Sequence, residues 1–151
     1  MDKIPVQRGD IYYARLDVTE GSTQRGTRPV IITQINRLNG KSSTYLCAPV
    51  TTRIKKAKAP YHVVLPKIRG LGKTSMVLAE HRFAISRTQL LSRVGHISKR
   101  QMKKITKAVR WAESEGYHKW KSNTFKSYKY KNMKRRQHRN RKKSNVQNAK
   151  S

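Results

Sequence analysis

Acidic residues are what this chain most lacks: 7 Asp and Glu stand against 36 Lys and Arg in 151 residues, a formal net charge of +29. Carboxylates so few and so scattered exclude a two-metal nuclease centre, which needs several acids facing one cavity. A single cysteine, Cys47, excludes an intrachain disulfide framework and suits a reducing compartment. His62, His81, His96, His118 and His138 show no paired spacing, and neither Cys-x-x-Cys nor His-Glu-x-x-His occurs, so no metal site is expected. P-loop and dinucleotide-binding glycine patterns are missing too, so no cofactor is expected. No apolar run approaches the roughly 20 residues that span a bilayer. Met1–Arg8 lacks the apolar core of a secretory signal. The expectation is a cytoplasmic protein with no membrane partner.

What remains is dominated by positive charge, which repels itself unless a polyanion relieves it. RNA or DNA is the first candidate, because each neutralised phosphate releases counterions. The charge divides the chain. All 7 acids and 23 of the Lys/Arg precede Gly116, while 13 Lys/Arg and no acid follow it. Residues 1–116 are therefore expected to form one domain, itself net positive, and 117–151 a basic low-complexity tail. The tail's apolar residues are too sparse to offset its ordering entropy, so it should be disordered in isolation. Its cations, interleaved with Trp120, Phe125, Tyr128 and Tyr130, fit non-specific RNA binding through phosphate contacts and base stacking. A solvated extension, or docking to an acidic partner segment, would use the same residues.

Within the domain, short strands alternate with turn chemistry. Alternation over Asp10–Leu16 and the β-branched run Pro29–Ile35 predict two strands. Asn39-Gly40 predicts a tight hairpin turn into a returning strand, Thr44–Val50. Tyr61–Leu65, Ser75–Ala79, Phe83–Ser86 and Leu91–Ile97 complete the set, and many short strands at close spacing suggest a small barrel. One helix follows. Ser98 and Gln101 form a capping box, Met102, Ile105, Val109 and Ala112 make the apolar stripe, and Gly116 is placed to end it.

Metal-free RNA cleavage requires deprotonation of a 2′-OH, protonation of the leaving 5′-oxygen and stabilisation of charge on phosphorus. The loop Gly21-Ser22-Thr23-Gln24-Arg25-Gly26-Thr27-Arg28-Pro29 offers donors for the last task, as does Thr51-Thr52-Arg53. These pieces carry a resemblance. Arg8-Gly9-Asp10-Ile11-Tyr12, the Gly21–Val30 loop, Ala48-Pro49-Val50-Thr51, Lys56–Pro60 with His62-Val63, Ser75–Leu78 and Val94–Ser98 follow one another as in the MazF/PemK family of toxin endoribonucleases.

The resemblance spans about residues 7–112. It implies an α+β, mainly β fold: a small SH3-like barrel of the CcdB/PemK kind with one C-terminal helix, usually a homodimer. It implies ribosome- and metal-independent cutting of single-stranded RNA at short sequences, leaving 2′,3′-cyclic phosphate and 5′-OH ends, until an acidic antitoxin blocks it. Arg28 matches the family's catalytic arginine and Thr51 its catalytic threonine. Ser22, Thr23, Gln24, Thr52, Arg53, Glu80 and His81 are the expected RNA-contacting set. Two positions depart from the family pattern. Thr23 stands where a Glu is usual, and Glu80-His81-Arg82-Phe83 where a Gln precedes a basic residue, so the preferred RNA sequence should differ. Two alternatives use the same fold: a non-catalytic toxin that poisons a protein such as gyrase, and a nucleic-acid-binding protein without catalysis.

Overall fold

A computed structural model of the chain describes residues 5–16 and 26–114. Seven strands are built from the short β-rich segments: β1 (Asp10–Leu16), β2 (Gly26–Ile32), β3 (Thr44–Thr51), β4 (His62–Leu65), β5 (Ser75–Leu78), β6 (Phe83–Ser86) and β7 (Leu90–His96). They pair antiparallel in the order β4-β5-β3-β2-β1-β7, with β6 joining β3 on the edge that β5 also uses. A 3₁₀ turn at Ala79–His81 lies between β5 and β6 and lets both run along β3.

Strand alternation sends successive side chains to opposite faces, which creates two cores. Ile11, Ile31, Val50, Val63 and Val77 face one way and meet Met102, Ile105, Ala108 and Val109 of α2 (Lys99–Glu113). Tyr12, Ala14, Val30, Tyr45, Cys47 and Ile85 face the other way and fill the curl of the sheet. The capping box forms as its residues require: the Ser98 amide donates to Gln101 Oε1 at 3.0 Å and the Gln101 amide to Ser98 Oγ at 3.3 Å.

Several expectations are corrected. β2 begins and ends three residues earlier than the β-branched run suggested, because Gly26–Arg28 pair with β1 although they are exposed. Asn39-Gly40 makes no tight hairpin turn. Residues 36–39 form one helical turn, α1 (Asn36–Asn39), and Gly40 has φ −77°, a right-handed conformation. The link from β2 to β3 covers residues 33–43, long enough to need no left-handed turn, and Gln34 holds it by bonding the Thr44 carbonyl and the Leu46 amide. On α2 the apolar stripe runs through Ala108, while Ala112 is exposed. The helix stops at Glu113. Gly116 and the basic tail 117–151 lie outside the described residues.

A buried carboxylate ties the sheet's first strand to its last. The Asp10 side chain is only 1% exposed. It accepts from the Gln7 amide at 2.9 Å, from Arg93 Nη2 at 2.9 Å and from His96 Nδ1 at 2.8 Å. Burial by itself raises its pKa. The hydrogen bonds from Arg93, Gln7 and His96, with the charge of Arg93, outweigh that and leave the carboxyl below its ordinary value.

Candidate active site

Arg28 and Thr51 lie on neighbouring strands, β2 and β3. β2 and β3 pair Ile32 with Cys47, Ile31 with Ala48 and Val30 with Pro49. Arg28 on β2 and Thr51 on β3 lie two residues beyond the last paired positions, Val30 and Pro49. Alternation puts both on the face of Val30 and Cys47, opposite the face that packs on α2. Arg28 also pairs with Ala14 of β1, and Thr51 with Met76 of β5. Arg28 is exposed and Thr51 half-buried, so the pair lies at an accessible end of the sheet. Thr51 Oγ1 accepts the Arg53 amide at 3.1 Å. That contact orients the hydroxyl and leaves its proton to donate outward. Thr52 and Arg53 continue from Thr51 into an exposed loop.

Glu80 and His81 lie in the 3₁₀ turn after β5. Glu80 is four residues beyond Met76, the partner of Thr51, on the order of 10 Å along the chain. Glu80 Oε1 bonds His62 Nε2 at 2.8 Å and lies 3.7 Å from His81 Nε2. The other ring nitrogen of His62 meets the Lys56 carbonyl at 3.0 Å. Lys56 has φ 51°, an uncommon conformation for a residue with a side chain, and its carbonyl also accepts the Ala59 amide at 2.9 Å. His62 therefore clamps the loop that follows Thr51 to the turn that carries Glu80. Nothing in the sequence spacing reveals these partners of His62.

Ser22, Thr23 and Gln24 lie outside the described residues, as does Glu20. Cys47 is fully buried, and burial pushes its thiol up to about 12, so it supplies no thiolate. Among the described residues no three His, Cys, Asp or Glu side chains gather into a metal-holding group, and no helix is long and apolar enough to cross a membrane.

Residues 7–112 match the family model described as PemK-like, MazF-like toxin of type II toxin-antitoxin system. This chain belongs to that family. An endoribonuclease MazF of Staphylococcus saprophyticus is 37% identical over 105 residues, covering 69% of this chain and 88% of the relative. The crystal structure of MazF (Form-I) from Deinococcus radiodurans superposes with a TM-score of 0.62 at 22% identity, covering 72% of this chain and 96% of that one. An endoribonuclease from a mycobacterial species gives 0.60 at 20% identity, covering 74% and 94%. At such identities the structures speak for the fold, and they bear out the mainly β architecture with one C-terminal helix. The family match begins one residue before Arg8-Gly9-Asp10 and ends within α2. It thus contains both Arg28 and Thr51 and leaves out the basic tail.

Proposed function

We propose that this chain is the toxin of a type II toxin–antitoxin pair, a cytoplasmic endoribonuclease that cuts single-stranded RNA without metal or ribosome, with Arg28 and Thr51 as its catalytic residues. The observation that carries the reading is the match of residues 7–112 to the toxin family, a span in which the neighbouring strands β2 and β3 carry Arg28 and Thr51.

The chemistry follows from the two side chains. The ribose 2′-oxygen attacks phosphorus, its proton passes to a base, and the bond to the 5′-oxygen breaks as that oxygen takes a proton. The products are a 2′,3′-cyclic phosphate and a 5′-OH. Negative charge peaks on the non-bridging oxygens. Arg28 answers it with a planar set of fixed donors, and Thr51 adds its outward O–H. Arg28 is too basic to remove the 2′ proton. Thr52 and Arg53 beside Thr51, together with Ser22, Thr23 and Gln24, are assigned to RNA contacts near the cleaved bond, and Glu80 and His81 to contacts with nucleotides further along.

Relatives supply the partner reading. One neighbour of this fold is an endoribonuclease in complex with its cognate antitoxin, and another is a MazE–MazF assembly. By analogy this chain takes an acidic antitoxin across the Arg28 face and works as a homodimer.

The test is product chemistry. A labelled RNA incubated with the full chain in EDTA should give discrete fragments ending in 2′,3′-cyclic phosphate, and a 2′-deoxy substitution at the cleaved nucleotide should abolish that cut. Products with 3′-OH ends, or cutting of the 2′-deoxy substrate, would sink the proposed mechanism.

A further inference from the structure

The helix face of the molecule carries charge that the Arg28 site does not use. Along α2, Lys99, Arg100, Lys103, Lys104, Lys107 and Arg110 are all exposed, and the helix has no acid before Glu113. Like charges four apart on a helix cost roughly 0.2–0.5 kcal/mol per pair. Lys99–Lys103, Arg100–Lys104 and Lys103–Lys107 are three such pairs. Not one of the six has a carboxylate within ion-pair distance among the described residues.

Beside the first turn of α2 lies an open cleft of about 410 Å³, and its lining includes Arg8, Asn36, His96, Lys99, Lys103 and Thr106 but no acid. Arg8 donates from Nη2 to Thr106 Oγ1 at 2.8 Å and has no carboxylate partner among the described residues. Burial first, and then the nearby Arg82 guanidinium, lower its pKa, so the charge in this cleft is under-compensated. An anion would relieve both the cleft and the stripe. Because α2 packs on Ile11, Ile31 and Val50, this surface lies across the sheet from Arg28 and Thr51. The few nucleotides at one site cannot also fill the other.

We infer that the outer face of α2, with the cleft at its first turn, is a second RNA-binding surface that holds the phosphate backbone without regard to sequence, remote from the bond being cut. The inference rests on the reading of this chain as an RNA-acting toxin and extends it to long transcripts. Cations recur about once per helical turn, ~5 Å apart along the axis, and suit a run of phosphates better than a single anion. Such a surface would keep the enzyme on one RNA between cuts.

The test uses the full chain carrying Arg28→Ala, so that RNA stays intact, and measures the affinity for a 30-nucleotide mixed-sequence RNA across a salt series. Adding Lys99→Gln, Lys103→Gln and Lys107→Gln should flatten the log–log salt slope by about 2, since each single-strand phosphate contact contributes roughly 0.7. A charge-matched control, Lys41→Gln, Lys67→Gln and Lys73→Gln, should change the slope much less. Circular dichroism should show the helix retained, because the substitutions remove repulsion and Gln is a good helix former. Equal effects of the two triple variants would overturn the inference. So would an unchanged RNA slope with weakened binding of polyglutamate, which would assign the face to an acidic protein. The readout does not depend on cleavage. A chain that never cuts RNA but shows the slope change would refute the nuclease reading and leave this one standing.

Discussion

Replacing Asp10 with alanine should destabilise the domain more than any surface substitution, for reasons that can be counted. The carboxylate is buried and accepts three hydrogen bonds, two of them from Arg93 and His96. Bonds to a charged group contribute roughly 1.5–3 kcal/mol each when both partners are dry. Here the Arg93 and His96 side chains are 38% and 44% exposed, so both can turn to water when the carboxylate goes, and their share must be discounted. The part-buried Gln7 amide loses its acceptor as well. The net loss should be about 2–4 kcal/mol, a large fraction of the 5–15 kcal/mol typical of a domain. That corresponds to a fall in Tm of roughly 10–20 °C for a domain of this size. Urea and thermal melts followed by far-UV circular dichroism would measure it.

The same contact sets a pH dependence. The folded carboxyl lies below its ordinary value, so it stabilises the fold fully above the unfolded pKa of about 3.9 and loses that contribution as pH falls through the folded value. Wild type should therefore lose stability as pH falls below about 4 more steeply than Asp10→Asn. A loss under 0.5 kcal/mol in Asp10→Ala, or parallel acid profiles for wild type and Asp10→Asn, would refute the strut.

Other substitutions test the packing. A Cβ on Gly70 would sit 2.5 Å from the Val94 carbonyl oxygen and from Val94 Cγ1, so Gly70→Ala should push the turn off β7 at a cost of about 1–3 kcal/mol, read from urea midpoints. The Tyr45 hydroxyl is buried with no hydrogen-bond partner among the described residues, so Tyr45→Phe should leave stability unchanged or raise it; a loss above 1 kcal/mol would mean the hydroxyl has a partner. Cys47 should resist alkylation at pH 8 in the native chain and react only after denaturation, followed by mass spectrometry.

The strands were legible where local pattern and long-range pairing agree. Thr44–Thr51 alternates because one face meets α2 and the other the curl of the sheet, and the sequence reading missed only its last residue. β2 was misplaced because an apolar run was the cue. The ladder with β1 in fact extends through exposed Gly26–Arg28, whereas Thr33–Ile35 leave it. Asn39-Gly40 carries a strong local turn signal, yet a longer connection made that signal irrelevant. Ala108 is buried in the stripe and Ala112 is exposed, a fact of tertiary packing that helical periodicity alone does not decide. The Asp10 network joins residues 83 and 86 positions apart, which no local pattern can announce. Arg28 and Thr51 stand out only through the order of motifs, since neither has a spacing that marks it, and the pairing of their strands β2 and β3 is a long-range fact.

The central claim is that Arg28 acts on the scissile phosphate. Single-turnover cleavage of an RNA bearing one mapped site, by wild type and Arg28→Ala, tests it most directly when affinity for the uncut 2′-deoxy analogue is measured alongside. Arg28→Ala should cut more slowly by about 10²–10³ or more, the usual cost of removing a transition-state donor, with affinity changed less than about tenfold. Cleavage by Arg28→Ala at the wild-type rate and at the same bond would contradict it.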